Sequence, residues 1–196
     1  MPRKAFISSY RQCPDCKTVL FDPKRELSQL SVKTSCCGSF GKARIIWPSI
    51  IVHKYLELVN NLDPNSEDDQ KISVVFLSSA FEMMLEDILW ELLFKHTPSP
   101  LLADSIMDSF HGKERRIKLF DSISDNKFSE ITKDDKEFTE RWNEITFLRN
   151  RVAHGDYFVS SKKYNEVESI DYLYDNCLKY FSKIENEVQS QKAFYK

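Results

Sequence analysis

Beyond Trp47 the apolar positions of the chain recur every three or four residues, the period of a helix with one buried side. In "WPSIIVHKYLELVNNLDPNS" the set Ile51, Tyr55, Leu58 and Leu62 predicts a first helix. Pro48 suits its opening turn and "DPNS" ends it. Ser66, followed three residues later by Asp69, resembles a capping box and starts a second, long helix running to about His96, before "TPSP". Its second half, "FEMMLEDILWELLF", is apolar on nearly every side, which predicts burial over most of its surface, part of it against a second subunit. At 100° per residue its polar positions fall into two stripes. Ser73, Asp87 and Glu91 form one, and Ser78, Ser79, Glu82 and Glu86 lie roughly opposite. One stripe is expected to meet solvent and the other a polar interior or a site.

"LLADSIMDSF" and "GKERRIKLFDSIS" read as two shorter helices, with "DNKFSEI" as a connector. Thr132 is the expected N-cap of the next helix, whose inward stripe is Phe138, Trp142, Ile145, Leu148 and Val152. A last helix runs from about Asn165, burying Val167, Ile170, Leu173, Tyr174, Cys177, Leu178, Phe181 and Ile184. Cys177 belongs to that core set. The fold class is therefore mainly α, with a helical domain over residues 48–196 and no internal repeat.

Residues 1–47 break the pattern. Four of the five cysteines lie here, Cys13 and Cys16 in "CPDC" and Cys36 and Cys37 in "CCG". "KTVLF" and "ELSQLSVKTS" between them alternate like short strands. Two cysteine-bearing turns on a small β hairpin describe a zinc-ribbon-like module, with structural Zn²⁺ as the cofactor. Three cysteines with His53 are the alternative ligand set. A reducing compartment disfavours disulfides at the same positions. Four protein ligands close the metal to chemistry, so its role is to hold a module too small to bury a core.

Charge follows the same boundary. The module carries +6 and the rest −8, within a net −2. A basic module on an acidic body is compatible with nucleic-acid contact through the N-terminal part. The most apolar segment, residues 72–94, includes Glu82, Glu86, Asp87 and Glu91, which argues against a membrane span. No apolar run follows the basic start, so no signal peptide is read and a cytoplasmic location is expected.

One stretch, "FLRNRVAHGDYF", concentrates chemistry. Cations in a last turn and a glycine beyond it are ordinary helix-ending residues, and Arg149, Arg151, His154 and Gly155 satisfy both preferences. Asn150, however, stands four residues before His154, where it can hold one imidazole nitrogen. Arg149 stands five before it, roughly 140° away on an ideal helix. Those two meet only where the helix frays or where two chains share the site. His96 and His111 sit at a helix end and in a turn, with no role assigned, and "GKER" at 112 lacks the glycines of a phosphate loop.

Arg149-x4-His154, written "RNRVAHG" near the end of a late helix, resembles the R-x4-6-H motif of the HEPN superfamily. The resemblance covers residues 48–190 and includes the order of elements. It implies a dimerising helical bundle and, as in many members, a metal-independent endoribonuclease whose Arg and His face each other across a cleft between protomers. Toxins and anti-phage systems use such sites, some members carry zinc ribbons, and an antitoxin or defence-system partner is implied. Arg149 and His154 would be catalytic with Asn150 orienting, and Arg151 would bind substrate phosphate or cap the helix. Glu82 and Glu86 would steady Arg149 or form an ordinary salt-bridged stripe. The expected products are 2′,3′-cyclic phosphate and 5′-hydroxyl ends. Members modified on tyrosine read R-x4-H-x-Y, whereas Tyr157 comes one position late, so that control is not expected here. The rival readings are a non-catalytic dimerisation or ligand-sensing scaffold, and a regulator binding nucleic acid through the basic ribbon.

Overall fold

The computed structural model describes residues 10–12, 19–21, 37–38, 44–45, 48–97, 99–154 and 166–192. The chain divides into two compact units, one spanning Phe6–Ile50 and the other including Ile51–Lys196. In the smaller unit three short strands, β1 (Tyr10–Gln12), β2 (Val19–Phe21) and β3 (Arg44–Ile45), form an antiparallel sheet in the order β2-β1-β3. Arg11 stands opposite both Leu20 and Ile45. β2 lies within "KTVLF", and the second expected strand, residues 26–35, falls outside the described residues. So do Cys13, Cys16 and Cys36.

The larger unit is a helical bundle of α1 (Ile50–Asn60), α2 (Glu67–His96), α3 (Pro100–Ser109), α4 (Lys113–Ile123), α5 (Phe128–Ile131), α6 (Lys136–Ala153) and α7 (Glu166–Ser190). α2 is its pillar, packing against α3, α4, α6 and α7. No residue from Ser73 to Thr97 is exposed, as the all-round apolar pattern requires. Ser66 caps the helix by accepting from the Asp69 amide at 3.4 Å. The Asp69 carboxylate reaches past Ser66 to the Asp63 amide at 2.9 Å, pinning the preceding turn as well. At the other end, Lys95 of α2 donates to the carbonyls of Val188, Gln189 and Gln191. A cation thus closes the C-terminus of α7, whose last carbonyls have no intrahelical partner.

The centre is aromatic. Phe81 of α2, Phe138 and Trp142 of α6, and Tyr180 and Phe181 of α7 pack together, with Phe138 stacked on Tyr180 at 4.0 Å between centroids. Burial pushes the Tyr180 hydroxyl and the Cys177 thiol each up to about 12.

Four local expectations are corrected, the first being that Leu178, placed in the buried stripe of the last helix, is exposed. α1 buries Val52, Leu56 and Val59, one position on from the expected stripe, and leaves Leu58 exposed. Its two adjacent apolar sets have the same spacing, so packing rather than pattern selects between them. The connector "DNKFSEI" contains the short helix α5, anchored by buried Phe128. Thr132 therefore ends α5 instead of starting α6: its hydroxyl bonds back to the Phe128 carbonyl at 2.9 Å, and Asp135 occupies the N-cap.

The core also holds a lysine. Gly112, at φ +79, makes the turn into α4 in a conformation that favours glycine. The next residue, Lys113, is 9% exposed, with Nζ 3.9 Å from the Trp142 ring centroid and donating to Asn143 Oδ1. Burial lowers its pKa to about 8, Glu114 opposing. Below that value the folded protein holds a charge that the unfolded chain would hydrate better. Between about 8 and the ordinary 10.5 the unfolded chain binds more protons, so stability contributed here rises with pH. Lys113→Met is expected to raise unfolding free energy by about 1–2 kcal/mol at pH 7. Urea denaturation at pH 7 and pH 10 checks this, the gain shrinking at the higher pH.

Candidate functional site

The helix carrying the Arg…His motif runs unbroken through Ala153 and places His154 at its C-cap, with φ −96° and ψ 6°. The His154 amide is shared between the carbonyls of Asn150 and Arg151, at 3.2 and 3.1 Å. Its imidazole is exposed. Because the helix does not fray before His154, Arg149 and His154 leave the axis roughly 140° apart. One chain does not bring them together. Gly155 and Tyr157 lie outside the described residues.

Arg149 is held from two directions. Nη1 donates to Asn150 Oδ1 at 3.2 Å, and Nη2 approaches Glu82 Oε2 of α2 at 3.5 Å. The Asn150 oxygen is therefore engaged by Arg149 and not by the imidazole four residues on. Of the five guanidinium N–H groups, two are used, which leaves three for an anion. Arg151 lies differently, its guanidinium 5.7 Å from the Phe147 ring centroid on its own helix. Phe147 is 59% exposed. The sequence reading missed it, although an aromatic outside the inward stripe of α6 was a visible signal.

The second polar stripe of α2 faces cations. Glu82 meets Arg149, while Glu86 pairs with Arg116 of α4 at 2.9 Å. Arg116 also donates to the Glu82 carbonyl at 3.4 Å. The stripe thus ties α4 and α6 to α2 through neighbouring arginines, Arg116 well covered and Arg149 about one-third exposed. Of the other stripe, Ser73 is buried, and Glu91 bridges to Lys95 at 3.7 Å while burial raises its pKa.

Clefts indent the helical unit among the described residues. One of 230 Å³ lies among α1, α2 and α7, and one of 570 Å³ among α4, α5 and α6. Neither is lined by Arg149, Asn150, Arg151 or His154, which occupy an open surface at the end of α6. Among the described residues no three His, Cys, Asp or Glu side chains gather to hold a metal, and no helix is long and apolar enough to cross a membrane. Cys37 is exposed in the turn leading to Gly38, which has φ +69°, and His53 is exposed on α1. No family model, curated protein or solved structure matches the chain.

The two arginines of the α2 stripe should separate in a stability measurement. Arg116→Ala is expected to cost about 1–2 kcal/mol, because it removes a well-covered side chain together with its bond to the Glu82 carbonyl, the part-exposed Glu86 carboxylate adding little. Glu82→Gln, in a part-exposed pair, should cost under about 1 kcal/mol. Equal losses in urea denaturation would count against this division.

Proposed function

We propose that the protein is a metal-independent endoribonuclease of the HEPN type, acting as a homodimer in toxin–antitoxin or anti-phage biology. The observation that carries this reading is the Arg149-x4-His154 pattern at the end of a late helix in a helical bundle, with Arg149 steadied by Glu82 and His154 exposed. The 140° between the two side chains favours a site completed by a second chain, where the Arg and His of facing protomers converge across a two-fold axis.

The chemistry suits these groups. Histidine exchanges protons near neutral pH, so His154 takes the proton of the ribose 2′-hydroxyl or returns one to the leaving 5′-oxygen. Arg149 directs its three remaining N–H donors to the phosphate oxygens, where negative charge builds as the 2′-oxygen attacks. The bond formed is O2′–P and the bond broken is P–O5′, giving 2′,3′-cyclic phosphate and 5′-hydroxyl ends. Asn150, bonded to Arg149, orients that guanidinium. Arg151 and exposed Phe147 offer a cation and a flat apolar face beside the reacting phosphate, surfaces on which unpaired bases stack.

In EDTA, purified wild-type protein is expected to cleave a labelled mixed RNA to cyclic-phosphate ends. His154→Ala and Arg149→Ala, verified as folded by circular dichroism, should each lower the rate at least about 100-fold. Variants as active as the wild type would sink the assignment.

The same reading includes a structural Zn²⁺ held by Cys13, Cys16, Cys36 and Cys37. A set of four thiolates suits that ion, and the strands of the small unit are only two or three residues long. Elemental analysis of the purified protein should find one zinc per chain, and Cys13→Ser with Cys16→Ser should remove it.

A further inference from the structure

The 570 Å³ cleft among α4, α5 and α6 is separate from the Arg/His surface, and its lining carries a small excess of positive charge. Its volume falls in the range of small-molecule sites, about 300–1,000 Å³, and most of its exposed wall is carbon, Ile117 included. Lys113, Lys118, Lys133 and Lys136 line it. They face three carboxylates, of which Asp121 already accepts from the Phe128 amide at 2.7 Å.

Lys113 is the unusual member. It is buried, yet among the described residues no carboxylate lies within ion-pair distance of its Nζ. Its contacts are the Asn143 carboxamide and the Trp142 ring. An ammonium has donors only, so the Asn143 atom facing it is the oxygen, which leaves the Asn143 NH₂ as that side chain's free polar group. The hydroxyls of Thr132 and Thr139 are bonded to the carbonyls of Phe128 and Asp135. Beside Lys113 the cleft therefore offers donors, the ammonium and the Asn143 NH₂, while the carboxylates of Glu114 and Glu140 on its lining are exposed to solvent. Burial lowers the pKa of Lys113, and the charge of Glu114 offsets this only in part.

We propose that this cleft binds a small organic anion, whose carboxylate or phosphate pairs with Lys113 Nζ and Asn143 Nδ2 while its carbon body lies on the apolar wall. The three exposed lysines at the cleft draw such an anion in and hold it only weakly, because they stay hydrated. Lys113 supplies specificity, since it is already desolvated and loses little more on binding. Replacing it should weaken binding far more than replacing Lys133. The site stands whether or not the Arg/His surface cleaves RNA.

Isothermal titration of the full-length protein with phenyl phosphate and with benzoate tests this, the two probes separating phosphate from carboxylate. At least one is expected to bind with a dissociation constant below about 1 mM, weakened about tenfold or more by Lys113→Met and also by Asn143→Leu, but little by Lys133→Met. The melting temperature of each variant separates lost contacts from lost fold, Lys113→Met being expected to melt above the wild type. Inorganic phosphate, which lacks the carbon body, should bind more weakly than phenyl phosphate. Absence of heat with both organic probes, or equal affinity in wild type and Lys113→Met, would overturn the proposal.

Discussion

The bundle depends on the surroundings of one indole. Trp142 of α6 has Phe81 of α2, Phe128 of α5, and Tyr180 and Phe181 of α7 within about 6.4 Å between ring centroids, and the Lys113 ammonium of α4 over its ring at 3.9 Å. Five helices meet there. Aromatic edges and faces prefer tilted and T-shaped arrangements, so the cluster sets not only how close these helices lie but how each is rotated. The rotation of α6 matters most. With Trp142 turned inward, Asn143 is carried to the α4–α5 cleft, Arg149 to the acidic stripe of α2, and Phe147 to solvent. The same constraint thus orients both surfaces that carry unusual chemistry.

Electrostatics then distributes those surfaces unevenly. On the α2 stripe, each arginine has a carboxylate, so charge is locally balanced and the geometry is fixed. At the cleft, Lys113 is desolvated without that balance. Natural chains seldom keep such an arrangement where packing alone is at stake, since an apolar side chain of similar volume would fill the space at less cost. A buried charge without a carboxylate beside it and an exposed aromatic ring are opposite departures from an ordinary helical surface, and α6 takes part in both, through Trp142 and Asn143 against Lys113 and through Phe147.

Much of this bundle was legible beforehand. The existence and order of the long helices follow from apolar spacing, Ser66 marks the start of α2, and the all-round apolar half of α2 predicted its burial. The face of α1 was not legible, because Ile51-Tyr55-Leu58 and Val52-Leu56-Val59 repeat with the same period and only contacts such as Tyr55 with Phe76 choose the rotation. Thr132 has the residue type of an N-cap, but a buried Phe128 four residues earlier captured its hydroxyl. At the candidate site, Arg149, Asn150 and His154 were visible as a pattern, while the bond from Arg149 to Asn150 was not, since neighbours in sequence seldom face each other on a helix. Lys113 was the least visible. "GKERR" reads as a solvated helix start, and its burial arises only when α6 lays Trp142 across it.

The pillar position of α2 has a cost in time. Its apolar surface is covered mainly by α6 and α7, which follow it in the chain, and Lys95 closes α7 only once residues 188–191 exist. At about 5–20 residues per second, roughly several seconds of synthesis separate the end of α2 from the end of α7. Through that interval a thirty-residue helix that is buried on nearly every side from Ser73 onward in the folded bundle is outside the ribosome without its cover. Newly made chains therefore share a window in which α2 can pair with α2 of a neighbour on the same message, and a holding chaperone or slow local translation before residue 67 would decide how many of them reach the native bundle.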